Sequence, residues 1–138
     1  MRSFRLIGMA IIAILISVNF TACSSDDENS NPTVAQLKGT WFNGDNEDYP
    51  YLIIEEGYFY FSESTSIVTS GNKGEKYKYT FDSNTNIMTC HQYDFDENKY
   101  FNEVDYFRVK SVSDTHLTIE ILNDNQSEVY ETMEFTKK

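Results

Sequence analysis

Two cysteines and two histidines are the residues of this 138-residue chain best suited to nucleophilic or metal chemistry, and their spacing opposes both uses. Cys90 and His91 are neighbours in Ile87-Met88-Thr89-Cys90-His91-Gln92-Tyr93, a segment that reads as a strand. Adjacent strand residues point to opposite faces, so the thiol and imidazole cannot meet as nucleophile and base or as ligands of one metal. His116 belongs to a separate turn, Ser113-Asp114-Thr115-His116, and there is no glycine-rich loop to cradle a phosphate. Asp94-x-Asp96-x-Asn98-x-Tyr100-x-Asn102-x-x-Asp105 has the oxygen spacing of a calcium loop. Lys99, however, stands where such a loop needs glycine, and the flanks read as strands; the plainer reading is a solvated hairpin turn. The expectation is no catalytic residue, no metal, no cofactor and no enzymatic activity, with Cys90 buried and inert.

Cys23 has a different chemistry. It follows a basic start at Arg2 and Arg5, an apolar run from Leu6 to Val18 and the small residues Thr21-Ala22, the three parts of a secretory signal. Phe20-Thr21-Ala22-Cys23 resembles a bacterial lipobox, with Phe20 where leucine is usual. That resemblance implies diacylglyceryl modification of the Cys23 thiol, cleavage of residues 1–22 and acylation of the new amino terminus. Each buried methylene adds about 0.8 kcal/mol, so two or three acyl chains would hold the protein permanently. Residues 23–33 are polar and acidic, which predicts a flexible tether. Its acidic cluster, Asp26-Asp27-Glu28, is either a solvated spacer or similar to the export signal of outer-membrane lipoproteins of Bacteroidetes. The expected address is the outer membrane, facing the periplasm or the cell surface, with membrane contact through acylated Cys23 alone.

Charge narrows the partners. The chain has 22 acidic and 11 basic residues, a net charge of −11, which becomes more negative when Arg2 and Arg5 leave with the leader. Such a surface repels phosphate backbones, which excludes nucleic acid, and it opposes lying flat on an anionic membrane. With Cys23 acylated, Cys90 is the sole remaining thiol and cannot form an internal disulfide, so the core alone must stabilise the fold.

The elements that would position these residues are extended. Val34 to Lys38 predicts one helical turn with Thr33 as its cap. Short aromatic and β-branched segments follow: one through Trp41 and Phe42, then Tyr51–Glu55, Tyr58–Phe61, Lys76–Phe81, Ile87–Tyr93, one within Tyr100–Val112, Leu117–Ile121 and Val129–Thr136. The clearest alternation puts Tyr77, Tyr79 and Phe81 on one face and Lys76, Lys78 and Thr80 on the other; Phe107 and Val109 oppose Arg108 and Lys110 in the same way. Glu56-Gly57 reads as a tight hairpin connection, and Ser62–Gly74 as a mobile loop at a barrel mouth. Eight short strands joined in sequence favour an all-β, eight-stranded antiparallel up-and-down barrel over residues 34–138, with an open two-sheet sandwich as the alternative.

The Leu37-x-Gly39-Thr40-Trp41 opening, the Tyr77-x-Tyr79-x-Phe81 strand before an Asp82-x-Asn84 turn, and the Val112 to Leu117 step are similar to the lipocalin-like domain of small Bacteroidetes lipoproteins. In lipocalins the tryptophan packs across the closed end beneath an arginine of the last strand. Here the last strand ends in Lys137 and Lys138, and Arg108 lies two strands earlier. The resemblance implies binding of a small hydrophobic or glycan-derived ligand inside the barrel, lined by Trp41, Tyr77, Tyr79, Phe81 and Phe107. The tyrosine hydroxyls would orient it. The alternative is a filled barrel, a structural or interaction module whose loops bind another envelope protein or a host protein. A void of a few hundred Å³ distinguishes the first from the second.

Overall fold

Alternation dominates these segments, and the computed structural model, which describes residues 31–138, turns it into a closed wall. The signal peptide 1–22, Cys23 and the tether as far as residue 30 lie outside the described residues. A single helical turn, α1 (Val34–Leu37), enters the barrel. Thr33 and Gln36 cap it reciprocally: Thr33 Oγ1 accepts from the Gln36 amide, and Gln36 Oε1 accepts from the Thr33 amide at 2.9 Å.

Nine strands follow: β1 (Gly39–Phe42), β2 (Tyr51–Ile54), β3 (Tyr58–Ser62), β4 (Gly74–Asp82), β5 (Ile87–Asp94), β6 (Lys99–Tyr100), β7 (Asp105–Val112), β8 (His116–Leu122) and β9 (Val129–Lys137). All pairings are antiparallel. The order β4-β3-β2-β1-β9-β8-β7-β5 closes through β4–β5, so eight strands form an up-and-down barrel. Closure removes most free edges and excludes the open sandwich. The two-residue β6 hangs on the end of β5. The segment read as one strand within Tyr100–Val112 is therefore two, with Phe101–Val104 between them.

Turn chemistry sets the registers. Gly57 adopts φ +82°, and the Glu55 amide donates to the Tyr58 carbonyl at 2.8 Å, fixing Ile54 opposite Phe59. Asp82 accepts from the Asn84 amide at 2.8 Å and so closes the β4–β5 turn. Val112 pairs with Leu117 across the β7–β8 turn.

One face of every strand of the ring contributes to a continuous interior: Leu37, Trp41, Leu52, Ile54, Phe59, Phe61, Tyr77, Tyr79, Met88, Cys90, Phe107, Val109, Leu117, Ile119, Met133 and Phe135. Phe81 packs partly buried at its margin. A second, smaller cluster sits on the outer wall, where Val68 covers Ile53 and Tyr60 and Phe95 leans against them. The Ser62–Gly74 loop is thus pinned to the side of the barrel, not free at its mouth, because two outward apolar residues need cover. On the outer face of β7 and β8, Glu120 is 7% exposed and accepts from Arg108 Nε at 2.7 Å. No helix among the described residues is long and apolar enough to cross a membrane.

Candidate functional site

Trp41 lies in the register the sequence implies, fully buried at the end of the barrel where α1 enters, and its indole N–H donates to the Leu37 carbonyl at 2.8 Å. Lys137 completes this end. Its ammonium is 4.2 Å from the centroid of the Trp41 ring and donates to the Lys38 carbonyl at 2.7 Å. The cation over the tryptophan comes from the last strand as a lysine, and Gly39 makes room for it. A Cβ on Gly39 would stand 2.3 Å from Lys137 Nζ.

Of the other residues expected to line a cavity, Tyr77, Tyr79 and Phe107 instead pack around Phe59, and Phe81 stays at the margin of the core. Phe59 is the centre: it stacks on Tyr77 with centroids 4.8 Å apart, meets Phe107 edge-on at 5.6 Å and Phe61 edge-on at 5.7 Å, and tilts against Tyr79 at 5.8 Å. Such geometries add to area burial. The void between Leu52, Ile54, Phe59, Met88, Phe107 and Ile119 measures about 10 Å³, the lower limit for one water. Both tyrosine hydroxyls are already used. Tyr79 donates to the Glu55 carbonyl at 2.7 Å and Tyr77 to the Glu75 carboxylate at 2.9 Å. Burial, then the neighbouring Glu75 charge, pushes the Tyr77 hydroxyl far above its usual range.

Cys90 and His91 separate as strand alternation requires. The Cys90 thiol is fully buried and donates to the Met88 carbonyl, and burial pushes its pKa well above the ordinary thiol value. His91 Nδ1 donates to the Phe101 carbonyl at 3.0 Å on the other side of the sheet. Asp94, the first oxygen of the calcium-like spacing, is engaged by its own turn, accepting from the amides of Asp96 and Glu97 at 2.9 and 3.1 Å. Among the described residues no three acids, histidines or cysteines converge as metal ligands.

The outer wall of β3–β4–β5–β6 carries an arrangement the sequence reading did not single out. Lys76 Nζ is 4.8 Å from the Tyr93 ring centroid and 5.3 Å from that of Tyr58, and Lys78 Nζ is 4.5 Å from that of Tyr100. Tyr93 meets Tyr100 edge-on at 4.9 Å and Phe95 at 5.0 Å. Neither lysine has an acidic partner among the described residues. Partial burial raises the hydroxyls of Tyr60 and Tyr100. The signal was present as outward Lys76 and Lys78 flanked by strands rich in tyrosine. Cross-strand register, which unites them, is not local information. Compared with protein-family models, curated proteins and solved structures, the chain matches none.

Proposed function

We propose that this is a non-enzymatic interaction module: a filled lipocalin-like barrel, tethered to the outer membrane through acylated Cys23, that binds another envelope protein or a host protein through its outer wall. The observation that carries the proposal is the space among Leu52, Ile54, Phe59, Met88, Phe107 and Ile119, which amounts to about 10 Å³. A small hydrophobic or glycan ligand at Trp41, Tyr77, Tyr79, Phe81 and Phe107 would have to part a ring cluster whose hydroxyls are already bonded. The Tyr58–Lys76–Tyr93–Tyr100 wall supports recognition at the surface, since exposed aromatic residues supply much of the energy of protein interfaces. The lipocalin-like lipoprotein reading draws on Gly39-x-Trp41 and on Lys137 over the indole.

The test replaces Tyr58 with a photo-crosslinking residue in cells and, in parallel, extracts the native protein under denaturing conditions. A discrete protein adduct at residue 58, with no stoichiometric small molecule released, is expected. A stoichiometric apolar molecule in the extract, or no adduct, would overturn the proposal.

A further inference from the structure

The barrel has one incomplete seam. Strand β9 pairs with β8 from Leu122↔Val129 to His116↔Thr136, but β1 covers only Thr136 and Lys137. The phase of that seam follows from the Lys138 amide, which donates to the Thr40 carbonyl at 2.9 Å. Alternate residues of an antiparallel strand aim both backbone groups to the same side. Thr136, Glu134 and Thr132 therefore present their N–H and C=O groups toward β1; the alternation ends at Tyr130, the extra residue of a bulge between Ile121↔Glu131 and Leu122↔Val129. Thr136 is met by Phe42, whereas the backbone groups of Glu134 and Thr132 have no partner among the described residues.

The reason lies in the β1–β2 connection. After Phe42 the chain leaves the seam: the Asn43 amide donates to the Pro50 carbonyl at 2.8 Å, and Asn43 and Asn46 side chains accept from the amides of Asp45 and Tyr49. The loop bonds to itself and stands off β9, leaving a cleft of about 410 Å³. Asp45 and Glu47 from the loop and Glu131 and Glu134 from the strand line it, and none of the four is in an ion pair among the described residues.

We propose that this cleft receives an extended, lysine- or arginine-bearing segment of another protein, which adds to β9 as a strand. Thr132 and Glu134 offer two donors and two acceptors in register, the main-chain bonding that β-augmentation uses. From Thr132 to Glu134 the edge spans about 7 Å at ~3.4 Å per residue, and the bulge at Tyr130 ends it. Carboxylates from both walls select a cationic strand. A second copy of β9 would bring the same acids face to face, and the chain's own tether, with Asp26-Asp27-Glu28, carries the wrong sign. The site is separate from the tyrosine–lysine wall and does not depend on it.

The experiment titrates the full chain, in detergent, with the capped peptide of four Thr-Lys repeats, its Thr-Glu counterpart, and a Thr-Lys peptide N-methylated at alternate residues. Amide exchange is read at Thr132 and Glu134. The Thr-Lys peptide is expected to bind and slow those two amides; N-methylation, or Thr132→Pro, weakens binding at least about tenfold. Proline is suited to position 132 because that N–H faces the open edge and takes no part in pairing with β8. Glu131→Lys with Glu134→Lys weakens binding similarly, and Lys76→Ala leaves it unchanged. Equal binding of the Thr-Glu peptide, indifference to both N-methylation and Thr132→Pro, protection of the two amides by self-association alone, or no binding would each overturn the proposal.

Discussion

Gly39→Ala is the perturbation whose effect the structure resolves most finely. Gly39 has φ +137°, and a Cβ there would lie 2.3 Å from Lys137 Nζ and 2.8 Å from Cε. The backbone conformation costs a non-glycine residue roughly 1–3 kcal/mol. The flexible Lys137 can swing away, but it then loses its place over Trp41 and its hydrogen bond to the Lys38 carbonyl. For an exposed lysine the cation–π share is about 0.5–1 kcal/mol and the hydrogen bond about 1 kcal/mol. Lys137→Ala alone should thus cost about 1.5–2 kcal/mol, and Gly39→Ala that amount in addition to the backbone strain. In the double variant the lysine contribution is lost only once. Urea denaturation followed through Trp41, the sole tryptophan, measures all four corners of the cycle. The double variant should be more stable than the sum of the singles implies, by about 1.5–2 kcal/mol. Additivity within about 0.5 kcal/mol would show that a side chain at position 39 does not displace Lys137, and would refute this reasoning.

Three further outcomes are expected. Gly74→Ala should destabilise by at least about 2 kcal/mol and increase amide exchange at Val68, because its Cβ would meet the Phe61 carbonyl at 2.3 Å and Val68 at 2.5 Å with φ at +149°. Cys90 should resist alkylation in the native protein and react fully only in denaturant, since the thiol is buried and its pKa raised; fast native labelling counted by mass would contradict this. Asp105 has its pKa raised, first by burial and then by Asp124. The native state therefore holds the proton more tightly than the unfolded state, and stability falls as pH rises from the ordinary carboxylate range through the raised value. Asp105→Asn should accordingly stabilise the protein at neutral pH, with the gain disappearing in acid; a gain independent of pH would refute the assignment.

What the sequence revealed follows the period of the strand. Tyr77, Tyr79 and Phe107 point inward because period-two alternation is a property of the local backbone, and β4 and β7 have polar outer faces that make it visible. In β3 the pattern is hidden: Phe59, Tyr60 and Phe61 are all buried, since Val68 covers the outer face there too. That is why Phe59, the centre of the ring cluster, could not be told from its neighbours. The Ser62–Gly74 stretch reads as mobile from its serines and glycines, yet one valine is enough to pin it. Lys137 was legible only as a residue standing where an arginine would be; its path to Trp41 depends on a contact between opposite ends of the chain. The break between β6 and β7 and the open edge of β9 carry no glycine or proline to announce them, and both emerge only from register.

Xenon diffraction on wild-type and Phe59→Ala crystals would probe the filled interior itself. Removing the central ring should open an apolar cavity, at a cost of about 3–5 kcal/mol in stability, that takes up the gas. The wild-type barrel should show no xenon inside the ring of Phe59, Tyr77 and Phe107. Well-occupied xenon there in the wild type would mean that the barrel holds a ligand cavity after all.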